Sequence, residues 1–307
     1  MSSKSPQALS LTVIDTAGFE RLLKKLARTF ALSLRILPTT LRPTLSLAYM
    51  LARASDSIAD AATAPTFQRL ALLRALPDSF PEKTPELGLS GDERTLVSRL
   101  PELLKALELL PDATDIREVW RVILRGQIFD LERFETPTGG GPAKPLETAE
   151  LEEYTQLVAG SAGEFWTRMC YRHIPDYSAL PLEEILPLAG RFGQALQYVN
   201  ILRDRRCDAE SGRIYIPDER FYPGMERAAE LLDSGDAYCR AVNPRIPRAA
   251  CKLPLDLARQ TLALIAEHPL GLRVKVPRHK VWIAFVKAFR NYSGYQKSTA
   301  QTIKAMP

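Results

Sequence analysis

The chain has 307 residues, 46% of them hydrophobic and 25% charged, with a formal net charge of +5 and a pI of about 9.0. This composition supplies a sizeable core and excludes a disordered or collagen-like chain. The mild positive balance suits anionic substrates or an anionic membrane surface, while Lys and Arg spread along the chain without a compact basic block argue against nucleic acid as a partner.

The opening MSSKSPQALSLTVID has no apolar signal core. No run approaches the roughly 20 apolar residues a spanning helix needs, so a cytoplasmic protein with at most peripheral membrane contact is expected. Helical periodicity begins at Phe19 and runs to about Leu37, with Leu22, Leu23, Leu26, Phe30 and Leu34 on one face. Pro38 ends that helix. A second spans about 41–61, with Pro43 in its permissive first turn and Pro65 beyond its end. Helices follow over about 66–76, 94–110 and 116–134, with Pro101 at a helix start or a kink.

Residues 136–145, TPTGGGPAKP, cannot sustain a regular element. They read as a loop inside one domain of 1–307, because the chemical motifs lie on both sides of it and must meet. Residues 1–18 and 299–307 read as peripheral. Further helices are predicted over about 148–172, 182–207, 225–234, 253–267 and 278–305, and Gly212–Pro217 is the best short extended piece. Cys170, Cys207, Cys239 and Cys251 form no C-x-x-C, and His173, His268 and His279 stand at no ligand spacing to them. They read as reduced thiols, without a zinc site.

Two acidic rows carry the chemistry. Asp56-Ser-Ile-Ala-Asp60 closes the second helix, and Asn200-Ile-Leu-Arg-Asp204-Arg-Arg-Cys-Asp208 closes the one from Leu182. Side chains four apart share a helix face about 5–6 Å apart, so each row projects together. On facing helices the two rows would form an oxygen-rich cleft suited to Mg²⁺, which takes few carboxylates plus substrate phosphate oxygens. A lone D-x-x-x-D is more often a solvated helix end. Two of them, each on an otherwise apolar helix and each beside an arginine (Arg53, Arg203), favour function.

The segments Arg28-Thr-Phe, Leu37-Pro, Arg42 and Tyr49-Met-Leu-Ala-Arg53-Ala-Ser-Asp56-Ser-Ile-Ala-Asp60 resemble the first signature of the squalene and phytoene synthase family. Tyr154-Thr-Gln-Leu-Val158-Ala-Gly160-Ser-Ala-Gly163 resembles its central Tyr-x-x-x-Val-Ala-Gly-x-x-Gly motif. Gln197-Tyr-Val-Asn200-Ile-Leu-Arg203-Asp204-x-x-x-Asp208, followed by Gly212-Arg213-Ile-Tyr-Ile-Pro217, resembles its second signature. The likeness runs in the family's order from about residue 19 to 290. It departs in D-S-I-A-D, where many members add an acid beside the first Asp, and in D-R-R-C-D, where Arg205 and Arg206 add positive charge. After about Pro277 the match is loose and includes no apolar anchor of the eukaryotic squalene synthase kind.

The resemblance implies an all-α, single-domain helical bundle of the isoprenoid synthase type with a central active-site cavity. It also implies head-to-head condensation of two prenyl diphosphates. Asp56, Asp60, Asn200, Asp204 and Asp208 would hold Mg²⁺. Arg53, Arg203, Arg213 and Arg28 would hold diphosphate, and Tyr49 and Tyr154 would face the reaction centre beside Arg53 and Arg203. Gln197, Val158 and Gly160 would contact substrate, with close helix packing as the alternative reason for the small residues. Gln127 and Asp130 would support the polar end. The phrasing is most like bacterial squalene-type members, which points to farnesyl diphosphate as substrate and presqualene diphosphate, then squalene, as product. NADPH would be needed for the last reduction, although no G-x-G-x-x-G follows a strand. Phytoene or dehydrosqualene synthesis, a non-catalytic prenyl-diphosphate-binding partner protein and a helical scaffold are the alternatives.

Overall fold

The computed structural model describes residues 16–27, 30–61, 63–135, 144–269, 274–289 and 299. Among them the regular elements are helices, and strand-type pairing is limited to an isolated bridge between Ser178 and Val242. The chain divides into two compact units, Met1–Thr136 and Pro137–Pro307, with the division inside the Gly/Pro-rich segment 136–145.

The first unit contains α1 (Thr16–Ala27), α2 (Phe30–Ile36), α3 (Arg42–Ala59), α4 (Thr66–Ala75), α5 (Gly91–Ser98), α6 (Leu100–Leu107) and α7 (Ala113–Glu135). Of the stretch expected as one helix over 19–37, α1 and α2 cover the described residues up to Ile36, and 28–29 lie outside the described residues. Pro101 sits in the first turn of α6, and the expected 94–110 helix is two. Helix α3 is enclosed by α7, α5, α4 and α6. Its Leu45, Leu47, Met50, Leu51, Ala54 and Ile58 are buried, and so are Thr44, Ser46, Ser55 and Ser57. Buried hydroxyls need partners. Thr44 Oγ1 donates to Asp112 Oδ2 at 2.8 Å, Ser57 Oγ to the Arg53 carbonyl at 3.0 Å, and Trp120 Nε1 to Ser55 Oγ at 3.1 Å.

The second unit begins with α8 (Thr148–Thr155), which passes through a π-helical turn (Gln156–Gly160) into α9 (Ser161–His173). Then come α10 (Leu182–Glu210), α11 (Phe221–Ala241), α12 (Arg245–Glu267) and α13 (Arg278–Ala288). Helix α10 is the spine, packing on α11, α9, the π turn and α12. Both α11 and α12 are longer than periodicity predicts. Pro254 lies inside α12, where an interior proline costs about 3 kcal/mol, and the burial of Leu253, Leu255 and Leu262 around it offsets that cost. Residues 212–217 form no strand, although the Leu146 N–H donates to the Ile214 carbonyl at 3.0 Å.

Two glycines set how closely α10 approaches α9 and the π turn before it. A Cβ at Gly163 would overlap the Ala189 carbonyl, and one at Gly193 would overlap the Ala159 carbonyl. Both obstacles are backbone, which cannot rotate away. Gly193→Ala is therefore expected to lower stability by about 2 kcal/mol through overpacking, read as an unchanged urea m-value with a lower midpoint. A midpoint equal to wild type would show that the helices can separate freely.

Candidate functional site

A helix carries partial negative charge at its C-terminal end, where its last carbonyls lack partners. Both acidic rows lie at such ends. Asp56 is in the last turn of α3, and Asp60 is the residue that caps it, its N–H donating to the Asp56 carbonyl at 2.9 Å. Carboxylates there repel the helix end as well as each other, so the first unit supplies cations. Arg53 pairs with Asp56 and, through Nη2 at 2.5 Å, with Glu93 of α5. Arg69 is buried and donates to the Ala59 carbonyl at 2.5 Å and the Ala64 carbonyl at 3.1 Å, fixing the chain on either side of Asp60.

These charges do not cancel. Desolvation and repulsion from Asp60 push Asp56 up to about 6; Arg53 opposes them, and Asp130 on α7 adds to the rise. The Asp56 side chain is nevertheless 45% exposed, so water reaches it and tempers the rise. Burial works against the charge on Arg53, but Asp56 and Glu93 outweigh it and hold the guanidinium above its ordinary value. Gln127 stands beside this cluster. Its Nε2 reaches the Ala52 carbonyl at 3.5 Å, and its buried Oε1 accepts no hydrogen bond among the described residues. Tyr49, one turn before Arg53, donates weakly to the Leu26 carbonyl at 3.4 Å and rests against Phe30.

In the second unit Asn200, Asp204 and Asp208 lie in the last three turns of α10. Asn200 is exposed, and the two aspartates and Gln197 are partly exposed. Arg203 grips Asp204 with two bonds, Nε to Oδ1 at 2.9 Å and Nη2 to Oδ2 at 2.6 Å. Arg205 instead pairs with Asp218 and lies 4.6 Å over the Phe221 ring, while Arg206 is exposed. The extra arginine charge is thus partly spent on anchoring the loop after α10. Gly212 turns that loop at φ +81°, and the Arg213 N–H donates to the Asp208 carbonyl at 2.8 Å. Tyr215 then stacks on Tyr154, with centroids 5.3 Å apart, and covers one face of it.

Val158 and Gly160 lie in the π turn, a feature often found at functional sites. Val158 is partly exposed; Gly160 is buried, and the Gln156 side chain fills the space of its missing Cβ. An open concavity of about 420 Å³, lined by Gln156, Glu164, Glu183, Arg191 and Gln194 among others, uses none of the residues singled out in the sequence. Glu152 accepts from Arg227 Nε at 2.7 Å and Tyr198 Oη at 2.8 Å. Burial pushes its pKa up, but those partners outweigh it and leave Glu152 below the usual carboxylate range.

Of the predicted residues, Arg53, Asp56 and Asp60 lie in the last two turns of α3 and at its cap, with Tyr49 one turn earlier at mid-helix. Gln197, Asn200, Arg203, Asp204 and Asp208 follow one another along α10. Arg28 lies outside the described residues. Sequence reasoning missed Glu93, Arg69 and Glu152. Each is a long-range partner, and no motif marks it.

The donor set suits a hard divalent cation. Among the described residues no three His, Cys, Asp or Glu side chains form a complete ligand cluster. Asp56 and Asp60 nonetheless place two carboxylates at one helix end, and Mg²⁺ typically uses one or two carboxylates and completes its shell with water and phosphate.

A sequence profile of the squalene/phytoene synthase family matches residues 23–224. The bifunctional lycopene cyclase/phytoene synthase of Colletotrichum graminicola is 32% identical over 211 residues, covering 64% of this chain and 33% of that protein. The chain thus spans about a third of the length of this and like-named fungal relatives. In structure, TcSQS solved with a ligand is similar at a TM-score of 0.78 and 20% identity, over 96% of this chain and 90% of that one. A ligand-bound dehydrosqualene synthase is similar at 0.67 and 18%, over 92% and 98%. At these identities the likeness is one of fold.

The Asp56 shift has a definite sign. A carboxyl raised from 3.8 to about 6 weakens the fold progressively between those pH values and fully above about 6. Asp56→Asn in metal-free buffer is therefore expected to gain on the order of 1 kcal/mol at pH 7.5, after discounting for solvent screening, and nothing at pH 4. Denaturant titrations at the two pH values check this, and a loss at pH 7.5 would mean that the Arg53 pair dominates.

Proposed function

Because this chain belongs to the squalene/phytoene synthase family, we propose that it condenses two allylic prenyl diphosphates head to head. Farnesyl diphosphate is the proposed substrate, presqualene diphosphate the first product and squalene the final one. The observation that carries this reading is the pair of D-x-x-x-D rows, each at the C-terminal end of a helix and each beside an arginine that holds one of its carboxylates.

The difficult step is breaking the C–O bond of one substrate, whose electron pair leaves on pyrophosphate. The alkene of the second substrate then bonds to the allylic carbon, and loss of a proton closes a cyclopropane. Bound Mg²⁺ would supply charge neutralisation at the leaving oxygens. Asp56 and Asp60 would hold it in one unit, and Asp204, Asp208 and Asn200 in the other. Arg53 and Arg203 would then turn from their carboxylates towards diphosphate oxygens, which a guanidinium binds with two parallel bonds. Arg213 and Arg28 would add positive charge. Tyr49 and Tyr154 would face the cationic carbon, the Tyr154 ring held in place by Tyr215. Val158, Gly160 and Gln197 would line the substrate's path. Reduction to squalene requires a hydride from NADPH as the second pyrophosphate leaves.

A second reading, phytoene from geranylgeranyl diphosphate, is favoured by the 32% identity to fungal proteins with phytoene synthase in their names. Product analysis separates the two. Incubation with Mg²⁺ and farnesyl diphosphate, with and without NADPH, is expected to give squalene with NADPH and presqualene diphosphate without it. Phytoene from the longer substrate alone would transfer the protein to the second reading, and no product from either would reject both. Asp56→Asn and Asp204→Asn are each expected to cut turnover roughly 100-fold or more while the far-UV spectrum stays unchanged. Mg²⁺ with an unreactive diphosphate analogue should raise the wild-type melting temperature and leave Asp204→Asn unmoved. Near-wild-type turnover in either variant contradicts the proposed metal sites.

A further inference from the structure

The charge of this chain is unevenly placed. The last forty residues, 268–307, contain eight Lys and Arg and no Asp or Glu; the 267 before them, with 33 basic and 36 acidic residues, carry a net −3. The even spread of Lys and Arg read from the sequence therefore hides a segment from which acids are missing altogether. Within it lies α13, RHKVWIAFVKA, which packs on α12.

Helix α13 presents apolar side chains in the wrong direction for a core helix. Ala284 and Ala288 are buried against the fold, with Val281, Phe285 and Phe289 half-buried beside them. Trp282 is 62% exposed, Ile283 49% and Val286 65%. At 100° per residue these three lie within one outward arc, with His279 among them and Lys280 and Lys287, both exposed, along one border. The Trp282 ring is set edge-on to Phe285, with centroids 5.9 Å apart, and Phe285 edge-on to Phe289 at 5.4 Å. The Arg245 side chain bonds the Phe289 carbonyl at 2.9 Å, tying the end of α13 to the start of α12, where Ile246 is 46% exposed.

We propose that α13 docks this protein on an anionic lipid surface, with Trp282, Ile283 and Val286 entering the headgroup boundary and Lys280, Lys287 and Arg278 meeting lipid phosphates. The charge argues for this occupant. A row of exposed apolar side chains bordered by lysines, in a segment without acids, matches what interfacial helices need, and tryptophan favours the boundary itself. A nucleic acid would find no hydrogen-bonding or stacking group in Ile283 and Val286, and a second copy would bring its own like-charged segment against this one. Among the described residues no helix is long and apolar enough to cross a membrane, so the contact is one of lying on the surface. The inference does not depend on the reaction proposed above.

The test uses the full chain and vesicles of phosphatidylcholine alone or with one third phosphatidylglycerol. Wild type is expected to co-sediment with the anionic vesicles, to release as salt rises, and to bind the neutral ones at least about tenfold more weakly. Trp120 is buried and Trp166 partly so, which leaves Trp282 as the exposed tryptophan among the three, and its emission should shift to the blue on binding. Ile283→Ser with Val286→Ser, and separately Lys280→Glu with Lys287→Glu, should each weaken vesicle binding about tenfold or more with unchanged melting temperature. Absence of wild-type binding to anionic vesicles, or variants that bind as wild type does, overturns the proposal. So does a concentration-dependent dimer in solution that the Ile283→Ser and Val286→Ser pair dissolves, since that would assign the face to a second copy.

Discussion

Carboxylates at the C-terminal end of a helix meet two repulsions, one from each other and one from the unpaired carbonyls beneath them. The first unit relieves these repulsions only in part. Arg69 locks the chain on both sides of Asp60, Arg53 divides its charge between Asp56 and Glu93, and Asp130 adds a further negative charge from α7. The outcome is a carboxyl raised to about 6 that keeps half its contact with water. Such an arrangement, held at an accessible edge, would suit the divalent cation of the proposed function.

The rest of the first unit serves that helix. Helix α3 can carry the buried hydroxyls of Thr44, Ser55 and Ser57 because Asp112, Trp120 and its own carbonyls satisfy them. Their directional bonds fix the helix's rotation, which hydrophobic contact alone would leave loosely defined. In the second unit the same task falls to close packing. Gly163 and Gly193 bring α10 to backbone contact with α9 and the π turn, and the Tyr154–Tyr215 stack ties the segment after α10 to α8. One unit positions its acidic row by hydrogen bonds and the other by shape.

The arginines have a double part. Arg53 and Arg203 are ion-paired with the row beside them. Under the proposed function those same guanidinium groups would bind the substrate, with the carboxylates available to hold Mg²⁺. A residue that is merely an ion-pair partner and one that binds diphosphate would then be the same residue in two states, which is why the two readings could not be separated at the level of sequence.

Much of this was legible in the order of residues. Period-3.6 apolar spacing announced an all-helical chain, the i, i+4 aspartates announced two rows, and the glycines near residue 160 announced an unusually close backbone, because each depends on neighbours within a few turns. Helix ends were less legible. Pro254 looks like a boundary locally, and only the burial around it shows why α12 continues through it. The reach of Glu93 to Arg53, of Arg69 to the end of α3 and of Tyr215 to Tyr154 had no local signal, since residues far apart in sequence become partners only when helices pack. The outward face of α13 was hidden for the same reason: its sequence reads as an ordinary apolar helix, and only the packing decides which of its apolar side chains enter the core and which are left facing water.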